Sequence, residues 1–81
     1  AQPRFLSAGC GTGRGAIMLS LTFPEAHITA LDLSRTSLAY AVLKAEQHGS
    51  RNISFGLGDV LNVGSLRQTF DLIESAGVLH H

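Results

Sequence analysis

Short apolar runs and helix-period stripes alternate along this chain. Phe5, Leu6 and Ala8 sit close together within Arg4–Ala8, which reads as a first strand. From about Arg14 to Phe23, Ile17 and Leu21 with neighbouring Met18 form an apolar stripe at spacing three to four. This predicts a first helix, stopped by Pro24. His27–Asp32, with Ile28, Ala30 and Leu31 apolar, reads as a second strand. Ser34 is placed to N-cap a second helix over Arg35–His48, with Leu38, Val42 and Ala45 on one face. Gly49 falls where a left-handed C-cap belongs. Ile53, Phe55 and Leu57 alternate within Asn52–Leu57, a third strand. Val63–Gln68 reads as a short helix, Phe70–Glu74 as a fourth strand and Val78–His81 as the start of a further helix. Phe5, Met18, Phe23 and Tyr40 read as core or semi-buried packing.

Strands alternating with helices predict βαβ units, and therefore an α/β fold with a parallel sheet. Right-handed crossovers then predict half of a doubly wound, Rossmann-like sheet in the spatial order 3-2-1-4. Its ligand site would lie at the strand C-termini, near the switch between the first and fourth strands. At 81 residues the chain supports one small core, below the usual domain size. It begins Ala1-Gln2-Pro3 without an initiator Met and stops inside what reads as an unfinished unit. It is therefore expected to be part of a larger domain, inactive alone and with apolar surface left for later strands.

Composition narrows the function classes. Hydrophobic residues at 44% and charged residues at 15% describe a globular chain rather than a disordered one. A net charge of zero with scattered Lys and Arg gives no nucleic-acid patch and no draw to an anionic membrane. No apolar run approaches the roughly 20 residues of a membrane span. One Cys excludes an internal disulfide, and a cytoplasmic location is the default.

Three loops, each after a strand, carry the chemistry. The first is Gly9-Cys10-Gly11-Thr12-Gly13. Glycines allow positive φ and let a ligand approach the backbone, and the helix start behind them offers unpaired N–H groups. A plain turn needs one glycine rather than three at alternate positions. The second is Asp32, 19 residues after Gly13, whose carboxylate can accept from two vicinal ribose hydroxyls. Its structural alternative is a helix cap, for which Ser34 competes. The third is Gly58-Asp59-Val60, where Asp59 can accept from an adenine amine and the Val60 N–H can donate to a ring nitrogen. Cys10 reads as a small residue filling its turn. His80 and His81 are adjacent and make no metal site by themselves.

The glycine loop alone leaves the ligand open, because Gly11-Thr12-Gly13-Arg14-Gly15-Ala16 also satisfies the G-x-G-x-x-A dinucleotide fingerprint with Asp32 near the expected spacing. Taken together, the segments resemble class I S-adenosylmethionine-dependent methyltransferases. Leu6-Ser7-Ala8-Gly9-Cys10-Gly11-Thr12-Gly13 looks like motif I of that family and Ala30-Leu31-Asp32-Leu33-Ser34 like motif II. Gly58-Asp59-Val60 looks like motif III, and Phe70 to His81 like the region around and after the fourth strand. The chain is also similar to a bacterial subgroup in which such a domain can be joined to tetratricopeptide repeats, although these 81 residues contain no repeat.

The resemblance implies S-adenosyl-L-methionine as cofactor, with this segment binding it, and an unidentified methyl acceptor. It implies that Gly9, Gly11 and Gly13, with Cys10 in the same loop, would face the methionine moiety. Asp32 would bind the ribose and Leu33 would pack on the adenine. Asp59 and Val60 would contact the adenine edge, and Glu74 and Ser75 would lie near the sulfonium. His81 would line the acceptor side, and no residue stands out as a catalytic base. The sequence departs from the family at Ser7, where relatives usually carry an acid that organises the loop and the cofactor's ammonium group. Two other readings share the glycine signal: an NAD(P)-dependent oxidoreductase, and a nucleoside-binding module without catalysis.

Overall fold

A computed structural model describes residues 2–58, 69–75 and 78–80, with His80 given by its backbone. The elements run β1 (Arg4–Ala8), α1 (Arg14–Thr22), β2 (His27–Asp32), α2 (Arg35–His48), β3 (Ile53–Leu57), β4 (Leu72–Ser75) and β5 (Val78–His80). The expected short helix over Val63–Gln68, and the candidate residues Asp59, Val60 and His81, lie outside the described residues.

The sheet order is β3-β2-β1-β4-β5, so the expected 3-2-1-4 arrangement stands with one strand added. β1 pairs in parallel with both β2 and β4, and β2 with β3. The addition is a correction. Val78 to His80 is a strand antiparallel to β4, pairing Ser75 with Val78 and Ile73 with His80, rather than the start of a helix. The free edge of β4 offers unpaired N–H and C=O groups to a segment only two residues further on.

Both helices cover the same face of the sheet. The core joins Phe5 of β1, Ile28 and Ala30 of β2 and Leu72 of β4 to Ala16 and Leu19 of α1 and Ala41 of α2, with Leu38, Ile53 and Phe55 packed at its margin. The register explains this set. Phe5 lies between Ile28 and Leu72, and Ala30 pairs with Phe55, so one side of four strands presents a continuous apolar surface.

The buried helix faces match the expected stripes in part: Ile17 and Ala45 are buried and Leu38 packs at the core margin, as expected. α1 buries Ala16, Ile17, Leu19 and Ser20, leaving Met18 and Leu21 exposed. α2 buries Ala41 and Ala45, leaving Val42 and Tyr40 exposed. Small residues turn inward because the helices lie close to the sheet. Met18, Leu21 and Tyr40 line an open groove between the two helices instead.

The helix ends follow local chemistry. Ser34 Oγ accepts from the Ser37 N–H, and Gly49 closes α2 at φ 72°. α1 ends at Thr22, one residue early, because Phe23 precedes Pro24 and is pushed out of the helical region. Asn52 stands before β3 rather than in it. Its amide donates to the carbonyls of Ala26 and Phe23 at 2.8 and 3.1 Å and its oxygen pairs with the Ser20 hydroxyl, which ties the end of α1 to the foot of the sheet.

Candidate functional site

The three glycines of the first loop all have positive φ: 66° at Gly9, 51° at Gly11 and 83° at Gly13. Their reasons differ. A Cβ on Gly9 would meet nothing within 4 Å, and one on Gly11 would only reach the Gly9 carbonyl, so both present bare backbone to open space. A Cβ on Gly13 would stand 2.8 Å from that of Ala41. Gly13 therefore serves the close packing of α1 on α2 rather than an approaching ligand. The Gly13 N–H donates to the Cys10 carbonyl at 2.7 Å and its own carbonyl accepts from Ile17, so the turn passes directly into α1.

Two bonds tie this loop to β2. The Cys10 N–H donates to the Leu31 carbonyl at 3.0 Å, and the Gly11 N–H donates to Asp32 Oδ2 at 2.8 Å. Asp32 Oδ1 accepts from the Ser34 N–H at 2.8 Å. Asp32 therefore braces both the glycine loop and the approach to α2, the structural role that was weighed against ribose binding. The Ser34 and Gly11 N–H donors hold its pKa below the ordinary carboxylate value, which keeps it an acceptor. Leu33, the next residue along the chain, is 68% exposed.

A cavity of about 650 Å³ opens above the C-terminal end of β1. The loop contributes Gly9, Cys10, Gly11 and Thr12, α1 contributes Arg14, Gly15 and Met18, β4 contributes Glu74 and β5 contributes Leu79. Ser75 closes β4 opposite Ala8. Cys10 is buried, and burial first, then the Asp32 carboxylate, pushes its thiol pKa up, so it stays a neutral wall of the cavity.

Gly15 is a residue that the sequence reading missed as part of the site. A Cβ there would lie 2.6 Å from Glu74 Oε1. Glycine inside a helix costs about 0.5–1 kcal/mol relative to alanine, so its presence in the first turn was itself a signal of a close neighbour. The neighbour is the Glu74 carboxylate, 6% exposed, whose Oε1 accepts from the fully buried Ser7 hydroxyl at 2.7 Å.

Among the described residues, no group of three or more His, Cys, Asp or Glu is arranged to hold a metal ion, and no helix is long and apolar enough to cross a membrane.

Comparison with known proteins agrees with this geometry. An uncharacterised protein of Synechococcus sp. is 41% identical over 81 residues, covering 99% of this chain and 19% of that protein. A malonyl-[acyl-carrier protein] O-methyltransferase of Bacillus anthracis is 40% identical over 72 residues, covering 89% of this chain and 25% of that enzyme. A solved structure described as "Conversion of a Disulfide Bond into a Thioacetal Group during Echinomycin Biosynthesis" superposes with a TM-score of 0.75 at 34% identity. It covers 95% of this chain and 31% of that one. The chain thus spans a quarter or less of these two relatives. A family model described as "Methyltransferase domain" matches residues 5–81, and the chain belongs to that methyltransferase family.

Proposed function

We propose that this domain binds S-adenosylmethionine across the C-terminal ends of β1 and β2, and that the whole protein transfers the cofactor's methyl group to an acceptor. The observation that carries the reading is the Gly11–Asp32 hydrogen bond. It joins a bare glycine loop and a ribose-type carboxylate into one unit, in a chain whose family performs methyl transfer.

The residues present suit the cofactor. Gly9 and Gly11 leave room for the methionine end to lie against the backbone. The lone pairs of Asp32 suit the two ribose hydroxyls, and exposed Leu33 suits one face of the adenine. Asp59 and Val60, on the resemblance, are proposed for the adenine edge, and Ser75 for the neighbourhood of the sulfonium. Once bound, the cofactor supplies an activated methyl group with a neutral leaving group. The protein's part is then to orient the reactants and exclude water. Buried Cys10, its thiol pKa raised by burial and by Asp32, walls the cavity as a neutral group.

The cavity at this loop carries both the Glu74 carboxylate and Arg14, so it is the family match, rather than the charge of the lining, that favours S-adenosylmethionine over a dinucleotide. Titration calorimetry of the full-length protein with S-adenosylhomocysteine and with NADH tests the choice. Binding of S-adenosylhomocysteine without NADH is expected. Tight NADH binding with no S-adenosylhomocysteine signal would reverse it.

A further inference from the structure

The groove between α1 and α2, with a volume of about 420 Å³, is built from two ridges. Arg14, Ile17, Met18 and Leu21 form the first, in the i, i+3, i+4, i+7 series of one helix stripe. Tyr40, Lys44 and His48 form the second, four residues apart on α2. At 1.5 Å per residue each ridge runs roughly 10–12 Å, or two turns. Buried Ile17 makes the floor, and Met18, Leu21 and Tyr40, each about half exposed, make the walls. Apolar side chains of this size gathered at one exposed place mark an interaction surface.

The charges along the groove share one sign. Arg14 begins the α1 ridge, Lys44 lies midway along the α2 ridge and His48, a third basic group, ends it. Among the described residues no acid lines the groove; Glu46, on the same helix, stands outside it. The chain has six basic and six acidic residues, so this excess is local. Lys44 Nζ sits 5.5 Å from the centroid of the Tyr40 ring, which holds the ammonium over the apolar wall.

We propose that this groove docks an acidic amphipathic helix of a separate protein. Its apolar side chains would seat between the two ridges, and its Asp or Glu side chains would face Arg14, Lys44 and His48. Two helices side by side offer a concave strip that takes the ridge of a third, and such docking is read through anchors at helical spacing. The floor at Ile17 is reached by inserted side chains, which a helix supplies and a flat membrane surface does not. A lone acyl chain would keep one side in water along so open a groove. Charge also argues for a reversible partner over a permanent cover. Interface cores are depleted of Lys, and burying Arg14 and Lys44 for good carries a desolvation cost. Cations along a groove instead steer an acidic partner and fix its register. Met18, unbranched and polarizable, adapts to the incoming side chain. The groove shares Thr12, Arg14 and Met18 with the cavity at the glycine loop, so the helix would dock beside the loop. The inference stands independently of the cofactor reading.

The probe is a synthetic helical peptide of about five turns, with Leu in the i, i+3, i+4, i+7 series and Glu beside each Leu. It is titrated onto the full-length protein by fluorescence anisotropy. Binding is expected, and it should weaken at least threefold between about 0.05 and 0.5 M salt. Lys44→Glu should weaken the Glu peptide at least fivefold and favour a matched peptide with Lys in place of Glu. Leu21→Gln, on the other ridge, should weaken the Glu peptide at least threefold, and it decides if Lys44→Glu fails to fold. No binding by about 1 mM peptide overturns the proposal, including the case in which the rest of the polypeptide already covers the groove. Equal binding of the Glu and Lys peptides to wild type, or indifference to both substitutions, also overturns it. Tighter binding of phosphatidylglycerol vesicles or of dodecanoate would assign the groove to a lipid surface or an acyl anion, and overturns it as well.

Discussion

The Ser7 hydroxyl on β1 donates to Glu74 Oε1 on β4 at 2.7 Å, joining residues 67 apart in the chain beneath the first turn of α1. This contact, together with the Gly11–Asp32 bond, places the glycine loop between two carboxylates on either side of β1. The loop itself is tied to β2 by the Cys10–Leu31 and Gly11–Asp32 bonds, while Glu74 of β4 lines the cavity beside it.

The close approach of Gly15 to Glu74 separates binding from stability. Gly15→Ala would place a methyl group 2.6 Å from Oε1, and the flexible end of a Glu side chain can swing away from it. The alanine also gains about 0.5–1 kcal/mol of helix propensity, which offsets the lost contact. Thermal unfolding within about 3 °C of wild type is expected, with several-fold weaker S-adenosylhomocysteine binding by calorimetry.

Asp32 bears on both cofactor affinity and acid stability. Asp32→Ala should weaken S-adenosylhomocysteine at least tenfold, since a charged acceptor to a ligand is worth roughly 1.5–3 kcal/mol. The Ser34 and Gly11 N–H donors lower its folded pKa, so the stability it adds is present above the unfolded value of about 3.9 and is lost as pH falls through the lower folded value. Denaturant titrations at several pH values should show the wild type losing stability below about pH 4 more steeply than Asp32→Asn.

The glycines of the loop should not be equivalent. Gly9→Ala meets only the backbone penalty of a left-handed conformation, roughly 1–2 kcal/mol, because the space around it is open. Gly13→Ala meets that penalty and also the Ala41 methyl at 2.8 Å, with overpacking costing about 1–3 kcal/mol more. Urea midpoints should fall in the order wild type, Gly9→Ala, Gly13→Ala.

Cys10 should be a slow thiol. Burial and the nearby Asp32 charge raise its pKa, so the folded protein is stabilised by the neutral form, fully below the unfolded pKa of about 8.5. That contribution is lost as pH rises through the folded value. Alkylation by iodoacetamide at pH 8 should be much slower in the native protein than in urea.

Much of this was legible in the sequence because the signals were local. Ser34 and Gly49 mark the ends of α2 through their own capping chemistry, and β1 and β2 follow from compact apolar runs. β5 was not legible as a strand. Val78 and the residues after it are too few to show a period, and they take their form from the open edge of β4. The stripes of α1 and α2 were read only in part, Ile17, Leu38 and Ala45 correctly, because Ala16 and Ala41 at the close approach carry less apolar weight than the exposed Met18 and Tyr40. The glycine loop and Asp32 could be read from residue type and spacing, although their direct bond could not. The pairing of Ser7 with Glu74 depends on the β1–β4 register, which no local pattern encodes.

The central claim is that the glycine loop and Asp32 form one cofactor site. A crystal structure of the full-length protein with S-adenosylhomocysteine tests it most directly. The account predicts the ribose hydroxyls within hydrogen-bond distance of the Asp32 carboxylate and the homocysteine end against Gly9 and Gly11. A ribose held away from Asp32, or a ligand bound outside the β1–β2 end of the sheet, would contradict it.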